Sequence, residues 1–237
     1  MNPSRIACCC LALCLAVFAN GAAAAAGTHA YLMRGIFNVS VGLDALAGKL
    51  ARRGIAASVY GNDDVAAVAA EAIQAYRSGQ ARSIVLIGHS LGAGAVVSVA
   101  RQLGAAGVPV ALLVSLDPVS SGAVPPNVRR AVNYYISGSG VPVGADAGFR
   151  GNLQNLDLSG VPAMDHMAIQ ATDSMHSRII GLVAGSAGAE RPARSAGPHA
   201  HGRQGLPRKH AGDFTSPRVR PCENSDALLK SRISVSI

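Results

Sequence analysis

The sequence predicts an α/β fold, a mostly parallel central sheet with helices on both faces. Three observations carry this. Apolar runs of four to eight residues, at Ala30–Met33, Ala56–Tyr60, Ile84–Ile87 and Pro109–Leu116, alternate with stretches whose apolar residues recur at helical spacing; strands alternating with helices are built from βαβ units. Pro109–Leu116 is apolar at every position but Ser115, as a strand covered on both faces requires. About 150 residues lie between the two chain ends of unusual composition, enough to bury a core without cross-links.

The elements follow in order. Ala30–Met33 is the first core strand, ending at Arg34-Gly35. A helix follows in which Leu43, Leu46 and Leu50 share one face and Gly54 ends the turn. Ala56–Tyr60 is the second strand. Asn62 or Asp63 is expected to cap a helix over Asp64–Arg77, with Val65, Val68 and Ile73 toward the core. Ile84–Ile87 is the third strand, Leu91–Leu103 the next helix and Pro109–Leu116 the fourth strand. Val119–Asn127 reads as a loop, Ala131–Ile136 as a strand and Ser137–Gly151 as a Gly-rich loop. Leu153–Leu158 is the last strand and Ser174–Val183 the last helix.

The chain is organised around Ser83–Val97. Ile84–Ile87 runs into Gly88-His89-Ser90-Leu91-Gly92 and then into a small-residue helix. A Gly-x-Ser-x-Gly turn between a strand and a helix is a nucleophile elbow, which lifts a serine hydroxyl above the sheet edge. Gly88 and Gly92 are expected where a Cβ would collide between strand and helix, with Ala93 and Gly94 extending that contact. On these residues the chain, from about Ala30 to about Gly185, resembles the α/β-hydrolase family of serine esterases, lipases and thioesterases.

A serine hydroxyl needs a base. Of the seven histidines, His199, His201 and His210 lie in the basic C-terminal stretch, His29 precedes the first strand and His176 falls inside a helix. His89 neighbours the serine, but its side chain should project elsewhere. His166 remains, in a loop after the last strand, where the resemblance places the base. The acid should lie between Ser90 and that histidine in the chain. Asp117 stands at the end of a buried strand, where sites form in open α/β sheets. Its Leu-Asp-Pro setting is similar to the acid-bearing segment of pancreatic-type lipases. Asp146 occupies the more usual family position one strand later and stays an alternative, with Asp157 and Asp165 behind both. The resemblance further implies an oxyanion hole from the backbone N–H of Leu91 and one from Ile36 or its neighbour. Arg34 stands where many members have histidine, and pairing with a carboxylate is the simpler expectation for it.

Composition bounds the rest. Of the net charge of +8, +5 belongs to residues 187–237 and +2 to residues 27–186. The central domain forms no basic stripe, so no nucleic-acid partner is expected. No cofactor or metal is implied. Residues 1–26 read as a signal peptide: Arg5, the apolar Ile6–Phe18, then small residues for cleavage. Export to the periplasm or medium follows, with no stable membrane span after cleavage. Lipid attachment through one of Cys8, Cys9, Cys10 or Cys14 is the lesser alternative, since Cys8 before Cys9 and Leu13 before Cys14 are poor small-residue positions. Cleavage would leave Cys222 alone and exclude an internal disulfide. Residues 27–187 form the hydrolase-like domain. Residues 188–237 are rich in Arg, Pro, Gly, His and Ser without periodicity, a composition typical of disordered tails.

The functional expectation is an exported serine hydrolase of carboxylic esters or thioesters. Only 48 residues lie between Asp117 and His166, too few for a large lid, so a small or medium acyl substrate is expected. The alternative from another class is an idle scaffold of this fold that serves as a binding module.

Overall fold

A computed structural model of the chain describes residues 27–188. The expected signal peptide and basic tail lie outside the described residues. The elements are β1 (Thr28–Met33), α1 (Gly42–Ala51), β2 (Ala56–Tyr60), α2 (Val65–Arg77), β3 (Ser83–His89), α3 (Leu91–Ala105), β4 (Leu112–Leu116), β5 (Ala123–Val124), β6 (Arg130–Tyr135), β7 (Gly144–Ala145), β8 (Asn152–Asp157) and α4 (Asp173–Gly188). Two 3₁₀ turns, Ile36–Asn38 and Ala168–Gln170, sit in the connections.

Six strands form one sheet in the order β2-β1-β3-β4-β6-β8, and every adjacent pair is parallel. Successive side chains of a strand point to opposite faces, and the core divides accordingly. Tyr31, Met33, Ile84, Leu86 and Leu113 pack with Val68 and Ala72 of α2 and Val96, Val99 and Leu103 of α3. Ala30, Leu32, Val85, Ile87, Leu112 and Val114 pack with Leu43, Leu46 and Leu50 of α1 and Ile179 and Val183 of α4. Both faces are therefore covered, which is why the central strands are apolar at most positions. There is no large lid domain in the described residues. Among them no helix is long and apolar enough to cross a membrane.

The structure departs from the sequence reading at the two loops and at one helix cap. The loops expected at Val119–Asn127 and Ser137–Gly151 meet through the two-residue strands β5 and β7; strands this short carry no readable period. β8 is largely exposed along its length, because it is the edge of the sheet. At the start of α2 the capping position is Asp64, not Asn62 or Asp63, and its carboxylate accepts the Gly61 N–H at 2.9 Å rather than capping the helix.

Candidate active site

Because all six strands are parallel, their C-terminal ends lie at one edge, where α/β sheets carry their sites. Ser90 follows β3 directly and Asp117 follows β4. Gly35 and Ile36 follow β1, Ile136–Gly140 follow β6, and His166 lies in the connection after β8.

Ser90 has φ 58° and ψ −121°, a backbone conformation few side chains adopt; such strain costs on the order of 1–3 kcal/mol and persists only where the surroundings enforce it. Here the Ser90 N–H donates to the Leu116 carbonyl at 2.9 Å, tying the elbow to the end of β4. The small residues around it are needed for space. A Cβ on Gly88 would stand 2.2 Å from the Gly92 carbonyl oxygen, where strand meets helix. A Cβ on Gly92 would stand 2.2 Å from the Met33 carbonyl oxygen, so Gly92 makes room for the end of β1. Gly94 does not extend that contact: a Cβ there meets only the Ser120 hydroxyl, at 4.0 Å. A strained serine between β3 and α3, on a parallel sheet covered by helices on both faces, defines the architecture. This is the α/β-hydrolase fold.

His166 joins the serine to Asp117. Its Nδ1 lies 2.6 Å from Asp117 Oδ2 and its Nε2 lies 3.1 Å from Ser90 Oγ. A carboxylate only accepts, so Nδ1 carries the proton and Nε2 is left as the acceptor for the serine O–H. Asp117 is fully buried. Its Oδ1 accepts the Ile136 N–H at 2.7 Å, and its Oδ2 also accepts the Ser139 hydroxyl at 2.6 Å. Its own N–H donates to the Tyr134 carbonyl at 2.7 Å, and its φ is 47°. The structure does not bring Asp146 to His166. The Asp146 carboxylate pairs with Arg101 instead. Asp157 accepts from Ser137 and Ser159, and Asp165 accepts the N–H groups of Met167 and Ala168.

Leu91 is the first residue of α3, so its N–H has no partner within the helix. Neither it nor the Ile36 N–H donates to another backbone group among the described residues. Ile36 is held near the serine by Gly35, where a Cβ would approach Ser90 Cβ to 3.0 Å. Arg34 turns from the site and pairs with Asp44 at 2.5 Å.

Sequence reasoning missed Ser139 and Gly140, which hold the Asp117 carboxylate. The Ser-Gly-Ser-Gly run marked a loop, but nothing in it pointed to Asp117. A Cβ on Gly140 would stand 2.0 Å from Asp117 Oδ1, and the buried carboxylate has nowhere to retreat. Gly140→Ala should therefore lower kcat on ester substrates by on the order of 10², the loss typical of a displacement near 1 Å. Gly160→Ala, whose Cβ meets nothing within 4 Å, is the control and should match the parent. Equal kcat values for the two variants would show that Gly140 does not hold the acid in place.

His89 is buried, and burial pushes its pKa down to about 4, with the neighbouring His166 charge acting the same way; the hydrogen bond to the His166 carbonyl and the Asp117 charge act in the opposite direction. The unfolded chain protonates this ring near 6.5 and the folded chain only near 4. Neutral His89 thus contributes stability that is complete above pH 6.5 and lost as the pH falls toward 4. The full loss is on the order of 3 kcal/mol at 1.36 kcal/mol per unit. Burial lowers His29 and His176 too, adding to the same slope. Urea unfolding between pH 7.5 and 4.5 should show falling stability in the parent and a shallower fall in His89→Gln. Identical slopes would rule out His89 as the source.

No protein-family model and no curated protein matches the sequence. Among solved structures, the chain is similar to the type II thioesterase BorB of the borrelidin biosynthetic cluster, at 14% identity and a TM-score of 0.45 over 68% of this chain and 91% of that one. Human thioesterase 2 aligns at 12% identity and a TM-score of 0.47, over 68% and 98%. An acetylxylan esterase aligns at 12% identity and a TM-score of 0.42, again over 68% and 98%.

Proposed function

We propose that this chain is a serine hydrolase of carboxylic esters or thioesters, acting through an acyl-enzyme. The observation that carries the reading is His166, hydrogen-bonded to Asp117 on one ring nitrogen and within reach of Ser90 on the other. Ser90 Oγ attacks the carbonyl carbon while His166 Nε2 takes the hydroxyl proton. Asp117 stays ionised, holding the ring in the tautomer that can accept. The oxyanion forms toward the N–H groups of Leu91 and Ile36, which act where charge develops. Collapse expels the alcohol or thiol, protonated by His166, and water releases the acid by the same steps in reverse.

The surroundings favour an acyl substrate. Phe37 is 86% exposed, and Ile36, Leu91, Val119 and Met167 are exposed large apolar residues beside the residues in these roles. An open apolar rim suits a small or medium acyl group. The signal-like N-terminus supports an exported enzyme, for which carboxylic esters are the better substrates, since thioesters of coenzyme A are cytosolic. A panel of nitrophenyl esters of increasing chain length, hydrolysed by the parent and not by Ser90→Ala, tests the reading. Absence of turnover across the panel, with no labelling of Ser90 by a fluorophosphonate, would leave the idle scaffold in its place.

A further inference from the structure

His89 lies beside the serine, but its ring makes contacts that the chemistry above does not use. Its Nδ1 is 2.7 Å from Ser40 Oγ, and its Nε2 is 2.7 Å from the backbone carbonyl oxygen of His166. Ser40 Oγ in turn lies 2.9 Å from the Gly35 N. The direction of each bond is dictated by its partners. The carbonyl only accepts, so His89 Nε2 carries the ring proton. The neutral ring then accepts at Nδ1 from the Ser40 O–H, and the Ser40 oxygen accepts the Gly35 N–H. One hydrogen-bond chain of single polarity runs from Gly35 through Ser40 and His89 to the backbone of His166. Ser40 and His89 are fully buried, so water does not replace these bonds.

The two ends of this chain lie at two largely exposed connections of the site. Ile36, Phe37, Asn38 and Val39 are all exposed, with Phe37 and Asn38 at positive φ. The connection from Ser159 to Met167 is exposed at most positions. The His166 carbonyl accepts from no other group among the described residues. The His89 and His166 rings also touch, with centroids 4.7 Å apart and planes inclined at 42°.

We propose that His89 is a positioning residue: a neutral strut, seated by Ser40, that sets the backbone of His166 against the loop carrying the Ile36 N–H. It does not touch the reacting atoms. It makes the distance between base and oxyanion donor a property of the rigid end of β3 rather than of two exposed loops. The inference rests on the proposed roles of His166 and Ile36.

The two ends of the ring are separable by substitution. His89→Gln places an amide N–H₂ near the Nε2 position and keeps the donor to His166. His89→Asn places its oxygen near Nδ1, satisfies Ser40 and leaves the His166 carbonyl unpartnered. His89→Phe removes both. Each variant and Ser40→Ala is purified with the full chain, and its melting temperature is measured so that only folded protein is compared. Two readouts follow: the rate constant for Ser90 labelling by a fluorophosphonate, and the downfield proton resonance of the His166 Nδ1–H bonded to Asp117.

His89→Asn and His89→Phe should label on the order of 10² more slowly and broaden or lose the resonance. His89→Gln should label within about fivefold of the parent and keep it. Ser40→Ala should fall between. A ring that only fills space would give the opposite pattern: melting temperatures shift while labelling and resonance stay at parental values in every folded variant, and that result overturns the proposal. If His89→Phe does not fold, the Gln and Asn pair decides the question. If the parent itself does not label, the hydrolase reading fails while the resonance still reports on the strut.

Discussion

Ser90→Ala should abolish ester turnover, with kcat falling by on the order of 10⁶. The hydroxyl is the atom His166 Nε2 faces at 3.1 Å, and among the described residues no other hydroxyl bonds to that nitrogen. The backbone at Ser90 is strained at φ 58° for any residue with a Cβ, so alanine adopts it as serine does. The variant should therefore fold and melt near the parent temperature. Measurement of nitrophenyl ester hydrolysis beside a melting curve separates the two effects. A folded Ser90→Ala protein with near-parental kcat would sink the mechanism.

Asp117→Asn should lower kcat by on the order of 10⁴, and the hydrogen bonds say why. Oδ1 accepts from a backbone N–H, which cannot change direction, so the asparagine must keep its oxygen there. Its amide N–H₂ then faces His166 Nδ1 and the Ser139 hydroxyl. The hydroxyl rotates to accept. The imidazole answers by moving its proton to Nε2, where it points at Ser90 and can no longer take the serine proton. Geometry survives while the tautomer is wrong. Asp146→Asn loses only a partly exposed pairing with Arg101, away from His166, and should leave kcat unchanged. A large loss in Asp146→Asn with a small one in Asp117→Asn would move the acid to the later loop.

Much of this molecule is legible in the chain because its physics is local. A strand covered on both faces shows itself as a continuous apolar run, and α1, α2 and α3 show themselves by apolar spacing. The elbow is a tight turn whose two glycines and serine are sequence neighbours. Ser90 could be singled out for that reason, and His166 could be reached by asking which histidine sits in a loop at the sheet's productive edge. The ion pair of Arg34 with Asp44 was foreseeable in kind, since Arg34 directly follows β1 and Asp44 lies in the first turn of α1.

What tertiary structure alone decided is which groups meet across loops. Asp117 and Asp146 both stand in connections after core strands, and no local pattern says which carboxylate reaches His166. That depends on where β6 ends, because Ile136 and Ser139 supply donors that seat Asp117, and on Gly140, whose missing Cβ leaves room for the carboxylate. The His89 side chain projects away from the serine hydroxyl, as its place beside Ser90 in the turn implies. Its partners are Ser40 and His166, 49 and 77 residues away in the chain. A hydrogen bond between groups so far apart in sequence leaves no periodicity and no spacing to read, since it is made only when separate connections converge on one edge of the sheet.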